Sequence, residues 1–142
     1  MEIELLERQS SELRKDIVEV CYHSKAGHVG GSLSAIDILN VLYFNELRID
    51  PNNPKMENRD RFILSKGHIA EALYVTLAKR GFFAYSELDN FSGYNTKYIG
   101  HPNNKVAGVE MNTGALGHGL AIGVGLAIAA KKMGQDYRTY VL

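Results

Sequence analysis

Asp60-Arg61-Phe62-Ile63-Leu64-Ser65-Lys66-Gly67-His68 is the stretch from which the fold can be read. Phe62, Ile63 and Leu64 make a short apolar run of the kind that fills a buried strand, with charge set just ahead of it by Arg59, Asp60 and Arg61. Ser65 and Gly67 interrupt the run. Ile69, Leu73, Val75 and Leu77 then give a mostly apolar helix that stops near Gly81. A strand that turns at once into a helix is the building unit of an α/β fold. His68 falls at the start of that helix, where free N–H groups attract anions.

Upstream, Leu6, Leu13, Ile17, Val20 and Cys21 recur at helical spacing with charged residues on the other face, which predicts a surface helix docked on a core. The glycines of Ser24-Lys25-Ala26-Gly27-His28-Val29-Gly30-Gly31-Ser32 predict an irregular loop carrying His28. Ser34 and Asp37 have the spacing of a helix start, so a second helix is expected from there. Downstream, Asp50 to Pro54 is turn chemistry, Ser86 to Asp89 caps a short helix, and residues 91–108 are a long polar connection holding Gly100-His101-Pro102. From Gly114 a buried helix is expected, with Gly119, Gly123, Ala127 and Ala130 forming a small face that admits another backbone. Thr139 to Leu142 reads as the opening of a buried parallel strand.

The chain contains five histidines. His28, His68 and His101 each follow a glycine, and His118 lies between Gly117 and Gly119, so all four are expected at turns that present a polar ring. His23 follows an apolar helical stretch and is assigned no role. Histidines here can move protons, donate hydrogen bonds to developing charge, or bind metal. Their spacing matches no compact metal signature and no cysteine accompanies them, so no metal site is expected. The run from Gly114 to Gly119 lacks the third glycine of a dinucleotide fingerprint, Ile122 standing in its place. What remains is a turn that brings backbone against a flat or anionic ligand.

Composition narrows the classes. The 142 residues suffice for one domain with a core, and 45% hydrophobic with 23% charged residues is ordinary for a globular chain. Sixteen basic side chains balance sixteen acidic ones, which removes the electrostatic footprint of a nucleic-acid or membrane-surface binder. Cys21 has no partner for a disulfide, and the charged start is unlike an export signal, so a cytoplasmic setting is expected.

Read in order, Ser24 to Ser34, Asp60 to His68, Gly100-His101-Pro102 and Gly108-Val109-Glu110-Met111-Asn112-Thr113-Gly114-Ala115-Leu116-Gly117-His118-Gly119 resemble the thiamine diphosphate domain of transketolase over nearly the whole chain. The resemblance is also to the amino-terminal subunits of split bacterial or archaeal transketolases. It implies an α/β fold, the helix-rich amino-terminal part of a cofactor domain with a parallel sheet, spanning residues 1–142. It implies His68 near the diphosphate, Gly114, Ala115 and Leu116 along the aminopyrimidine side, and His118 at the cofactor edge, where the family often has glutamine. His28 and His101 would face the ketose as catalytic residues, His68 would count among the catalytic residues as well, and Lys66 gets no role.

By the same resemblance the cofactor carries a two-carbon ketol unit between phosphosugars, a pentose phosphate pathway reaction. The family holds the diphosphate through Mg²⁺ on a Gly-Asp-Gly motif and a later Asn, and takes a glutamate from a pyrimidine-binding partner domain or subunit. No Gly-Asp-Gly occurs here, so the Mg²⁺ ligands are expected beyond Leu142 and the isolated chain is expected to be inactive. A homo-oligomer, a dimer in the family, is expected, with an exposed sheet edge and apolar helix faces favouring self-association. The alternatives are a deoxyxylulose-phosphate synthase-like or dihydroxyacetone synthase-like enzyme, or an inactive association module.

Overall fold

The fold is a helical cluster and a lone outer helix on opposite faces of a two-stranded parallel sheet, seen in a computed structural model that describes residues 2–142. Helix α1 (Ile3–Ser24) buries Leu13, Ile17, Val20 and Cys21 on one face, as its periodicity predicts, and ends where Lys25 turns left-handed. Helix α2 (Val29–Val41) widens into a π-helical turn over Leu42–Glu46. Strand β1 (Arg61–Ile63) leads through a 3₁₀ turn (Gly67–Ile69) into helix α3 (Ala70–Arg80), closed by Gly81 at φ 96°. A 3₁₀ segment (Tyr85–Asn90) follows, then an irregular stretch, helix α4 (His118–Lys132) and strand β2 (Thr139–Val141). The strand-turn-helix reading of residues 60–81 and the closing strand are both present, but the closing strand is half-buried where the sequence predicts a buried one.

Helix α2 begins earlier than the expected start at Ser34, with His28 at its N-cap and Gly30 and Gly31 inside its first turns. Low helix propensity is overridden there by packing. A Cβ on Gly31 would sit 2.8 Å from the Ile69 side chain, so the glycine lets α2 press against the start of α3.

The strands pair in parallel, Arg61 with Thr139, Phe62 with Tyr140 and Ile63 with Val141. Period-two alternation then divides the burial. Phe62 and Leu64 join the core shared by α1, α2 and α3, whereas Ile63 faces α4. Residues 71–78 of α3 are buried without interruption, which places this helix at the centre of the cluster. The buried Asp60 carboxylate accepts the backbone N–H groups of Arg48 at 2.8 Å and Arg138 at 2.7 Å, tying the entry of both strands together.

Helix α4 lies on the sheet through Gly119, Gly123 and Ala130. A Cβ on Gly119 would come within 2.8 Å of Ile63 and Ser65, and one on Gly123 would collide with Val141. Two expectations for this helix need correction. It begins at His118, not Gly114, and Ala127 is exposed because strict four-residue steps drift off a 3.6-residue face. Its opposite face carries Leu120, Val124 and Ile128, each more than half exposed, so the helix is buried on one side only. No helix among the described residues is long and apolar enough to cross a membrane.

Candidate functional site

Three of the glycine-flanked histidines are gathered around the N-terminal end of α3. His68 sits in the 3₁₀ turn that opens this helix. His28, at the N-cap of α2, lies against it with ring centroids 5.1 Å apart and planes at 82°. The loop carrying Thr113 and Gly114 closes the third side. Gly67 abuts it so tightly that a Cβ there would be 2.8 Å from both the Thr113 carbonyl oxygen and Oγ1. On Gly114, a Cβ would lie 3.4 Å from the His101 ring. His28, His68, Thr113, Gly114 and His101 therefore form a continuous lining from four separate stretches of chain.

Each lining element is held by a specific bond. Thr113 Oγ1 donates to the Leu64 carbonyl at 2.6 Å, and the Gly117 N–H donates to the Ser65 carbonyl at 3.1 Å, which sews residues 113–117 to the end of β1. Gly117 takes φ 85°, a left-handed conformation that glycine adopts without steric cost. The Tyr74 hydroxyl donates to the His101 carbonyl at 2.8 Å, and burial raises that phenol above its ordinary range. Glu71 Oε1 accepts the His28 N–H at 2.6 Å and the Ser32 hydroxyl at 2.7 Å. His68, Glu71 and Tyr74 thus stand three residues apart on one continuous segment, Glu71 holding the His28 loop and Tyr74 the His101 loop.

His28 and His101 are exposed and His68 is half-buried, so the rings line an open surface. His68 Nδ1 and the Ser65 hydroxyl are buried polar atoms without a partner. Ala115 and Leu116 are exposed, as is His118 at the first position of α4, with its N–H on the Ala115 carbonyl at 3.1 Å. His118 is joined to the others through this backbone, not through a ring contact. His23 stays apart on the surface of α1, 4.0 Å from Glu19. Cys21 is buried, and burial, reinforced by the nearby Glu71 charge, pushes its thiol up to about 11. Among the described residues no group of three or more His, Cys, Asp or Glu side chains could hold a metal ion.

Glu71, Tyr74 and Thr113 were not singled out by sequence reasoning. Glu71 had a signal, being an acid within a helix otherwise apolar from Ile69 to Leu73. Tyr74 and Thr113 act through bonds to distant backbone, for which the sequence has no local mark.

Comparison with known proteins gives this arrangement a context. The family described as the transketolase thiamine diphosphate binding domain matches residues 7–140. A relative from Phocaeicola vulgatus, named as a subunit of apulose-4-phosphate transketolase, is 51% identical over the full chain, which covers 50% of that protein. Human transketolase is 35% identical over 99% of this chain and 23% of its own length. Among solved structures, transketolase from Campylobacter jejuni superposes with a TM-score of 0.92 at 36% identity, covering 99% of this chain and 23% of that one. The chain spans at most about half the length of these relatives. With the ordered histidine motifs, the helix-rich α/β architecture and this match all in agreement, the chain belongs to the transketolase family as a thiamine diphosphate-binding, amino-terminal domain or subunit.

Proposed function

We propose that this chain supplies the diphosphate-binding half of a thiamine diphosphate enzyme that transfers a two-carbon ketol unit between phosphosugars. The observation that carries the reading is the convergence of His28, His68 and His101 on one open lining beside the backbone of residues 113–117. The donors fit such a ligand. A buried, unpartnered His68 Nδ1 is a polar atom in want of a partner, and exposed residues 115–117 beside half-buried Gly114 suit a flat ring.

In this reading His68 holds the diphosphate, and Gly114, Ala115 and Leu116 border the aminopyrimidine through backbone. His118 lies at the cofactor edge. When bound, thiamine diphosphate supplies the carbanion chemistry that neither histidine nor backbone can. His28 and His101 hydrogen-bond the sugar hydroxyls and carry protons to and from its oxygens as carbon-carbon bonds break and form. Mg²⁺ is assigned to ligands beyond Leu142, and the pyrimidine side to a partner subunit or domain. Without those Mg²⁺ ligands and that partner the chain is expected not to turn over.

Several relatives support the two-part assembly by name. A second apulose-4-phosphate transketolase subunit, from Actinobacillus succinogenes, is 45% identical, and a 6-deoxy-6-sulfo-D-fructose transketolase subunit from a Clostridium is 41% identical. Those names also favour ketol transfer over the synthase-like alternatives. The test is calorimetric titration of thiamine diphosphate with Mg²⁺ into the chain, alone and, extended to include the Gly-Asp-Gly metal motif, paired with a pyrimidine-binding partner subunit, followed by a ketol-transfer assay of the pair. Binding and transfer only in the pair is the expected result. A pair that binds no cofactor would overturn the reading.

A further inference from the structure

An N-cap residue usually turns its own side chain back onto the helix, and Ser, Thr, Asp and Asn are preferred there for that reason. His28 occupies the N-cap of α2 and makes no such bond. Its own N–H is taken from outside instead, by Glu71 Oε1 of α3 at 2.6 Å. The imidazole is consequently left exposed, edge-on to His68. The same carboxylate oxygen accepts the hydroxyl of Ser32, a side chain with no exposure, at 2.7 Å. Gly27, at φ 128°, makes the approach possible, since a Cβ there would collide with Cys21 Sγ and lie 3.2 Å from Glu71 Oε1.

Glu71 itself is 1% exposed, and its Oε2 has no partner. Burying an acid so completely is costly unless it is hydrogen-bonded, and the bonds that offset the cost here are those from the His28 N–H and the Ser32 hydroxyl. Three residues separate it from His68 on one continuous segment, so the group that anchors His28 and the ring that His28 faces are fixed in one frame. We infer that Glu71 is a positioning residue: through the His28 N–H and the Ser32 hydroxyl it sets the start of α2 and with it the distance between the His28 and His68 rings. The inference rests on the proposed function only for its catalytic consequence.

The experiment is amide hydrogen exchange and imidazole NMR on the isotope-labelled full chain and on Glu71→Gln and Glu71→Leu. In the unaltered chain the His28 amide is expected to exchange at least about a hundredfold slower than in a free chain. Glu71→Leu should lower that protection by roughly tenfold and remove the His28–His68 ring-proton contact, while the amides of α3 stay protected. Glu71→Gln keeps an oxygen acceptor and should restore both. A His28 amide exchanging at the free-chain rate in the unaltered protein overturns the inference, as does an unchanged ring contact in Glu71→Leu. Uniform loss of protection with the ring contact retained overturns it equally, because that is what a merely structural role gives. If Glu71→Leu fails to fold, the unaltered chain and Glu71→Gln decide between these outcomes. The exchange and NMR readouts involve neither cofactor nor sugar, so failure of the proposed reaction leaves them unaffected. In the assembled enzyme Glu71→Leu should lower kcat about as far as His28→Ala and leave cofactor affinity in place.

Discussion

The imidazole of His28 meets that of His68 edge-on at 5.1 Å, although one residue stands at the N-cap of α2 and the other in the turn that leads into α3. The two are neighbours without being equivalent. His68 is half-buried with an unpartnered Nδ1, whereas His28 is exposed. His68→Ala should therefore weaken thiamine diphosphate binding by about tenfold or more, the scale of one hydrogen bond to a charged group. His28→Ala should leave cofactor binding within about twofold and slow ketol transfer by about a hundredfold, the scale of one proton-transfer group. Calorimetry and a transfer assay with the partner subunit separate the two, and equal losses in both variants would contradict this division of roles.

Gly67 is held against Thr113 with no room for a side chain. Gly67→Ala should cost about 1–3 kcal/mol by overpacking and should loosen residues 113–117 from the end of β1. Denaturant unfolding reads the first effect. Limited proteolysis between Asn112 and His118 reads the second, and resistance equal to that of the unaltered chain would argue against the coupling.

Two glycines of α4 should respond in opposite directions. A Cβ on Gly123 collides with Val141, while one on Gly125 meets nothing within 4 Å. Gly123→Ala is expected to lower the Tm. Gly125→Ala should raise stability by about 0.5–1 kcal/mol, because only the flexibility of the unfolded chain is lost. Thermal unfolding of the pair tests whether helix-on-strand contact, and not helix propensity, selects glycine here.

The Cys21 thiol titrates near 11 in the folded chain against an ordinary 9.0, chiefly because it is buried. A raised acid favours the protonated native state, so its contribution is intact below pH 9 and declines as pH rises from 9 towards 11. The difference in stability between the unaltered chain and Cys21→Ala should be flat up to about pH 9 and shift against the cysteine form above it. Alkylation of the native thiol at pH 8 should also be slow, since the thiolate is the reactive form. Rapid alkylation by iodoacetamide at that pH would refute the burial argument.

The row of Leu120, Val124 and Ile128 on α4 is apolar and more than half exposed. Replacing Leu120 and Val124 together by Glu should leave helix content and Tm nearly unchanged and reduce concentration-dependent association. Sedimentation velocity over a range of concentrations measures it, and association unaffected by the two charges would place the contact elsewhere.

The parts of this architecture legible in the sequence are those with short-range causes. The apolar run at residues 62–64, the stop at Gly81 and the spacing of Leu13, Ile17 and Val20 each act within a few positions, and each element stands where its pattern puts it. Glycine beside histidine likewise marked His28, His68 and His101, because a turn is a local event. The start of α2 was misplaced for the opposite reason. Ser34 offers a cap, but its hydroxyl bonds the Gly31 carbonyl at 2.7 Å within the helix, and the true start is fixed by Glu71 from a different element. Ala127 misled because a small residue at regular spacing does not by itself say which way the helix is rolled.

Helix α3 has a bearing on time as well as on geometry. It presents His68 at one end, receives the backbone of His28 through Glu71 and receives that of His101 through Tyr74. Rings that arrive on remote parts of the chain thus share one moment of assembly, since none has its final place until α3 is helical and surrounded. The histidines should accordingly be gained together in refolding and lost together on heating, as a single cooperative step with no half-built lining along the way.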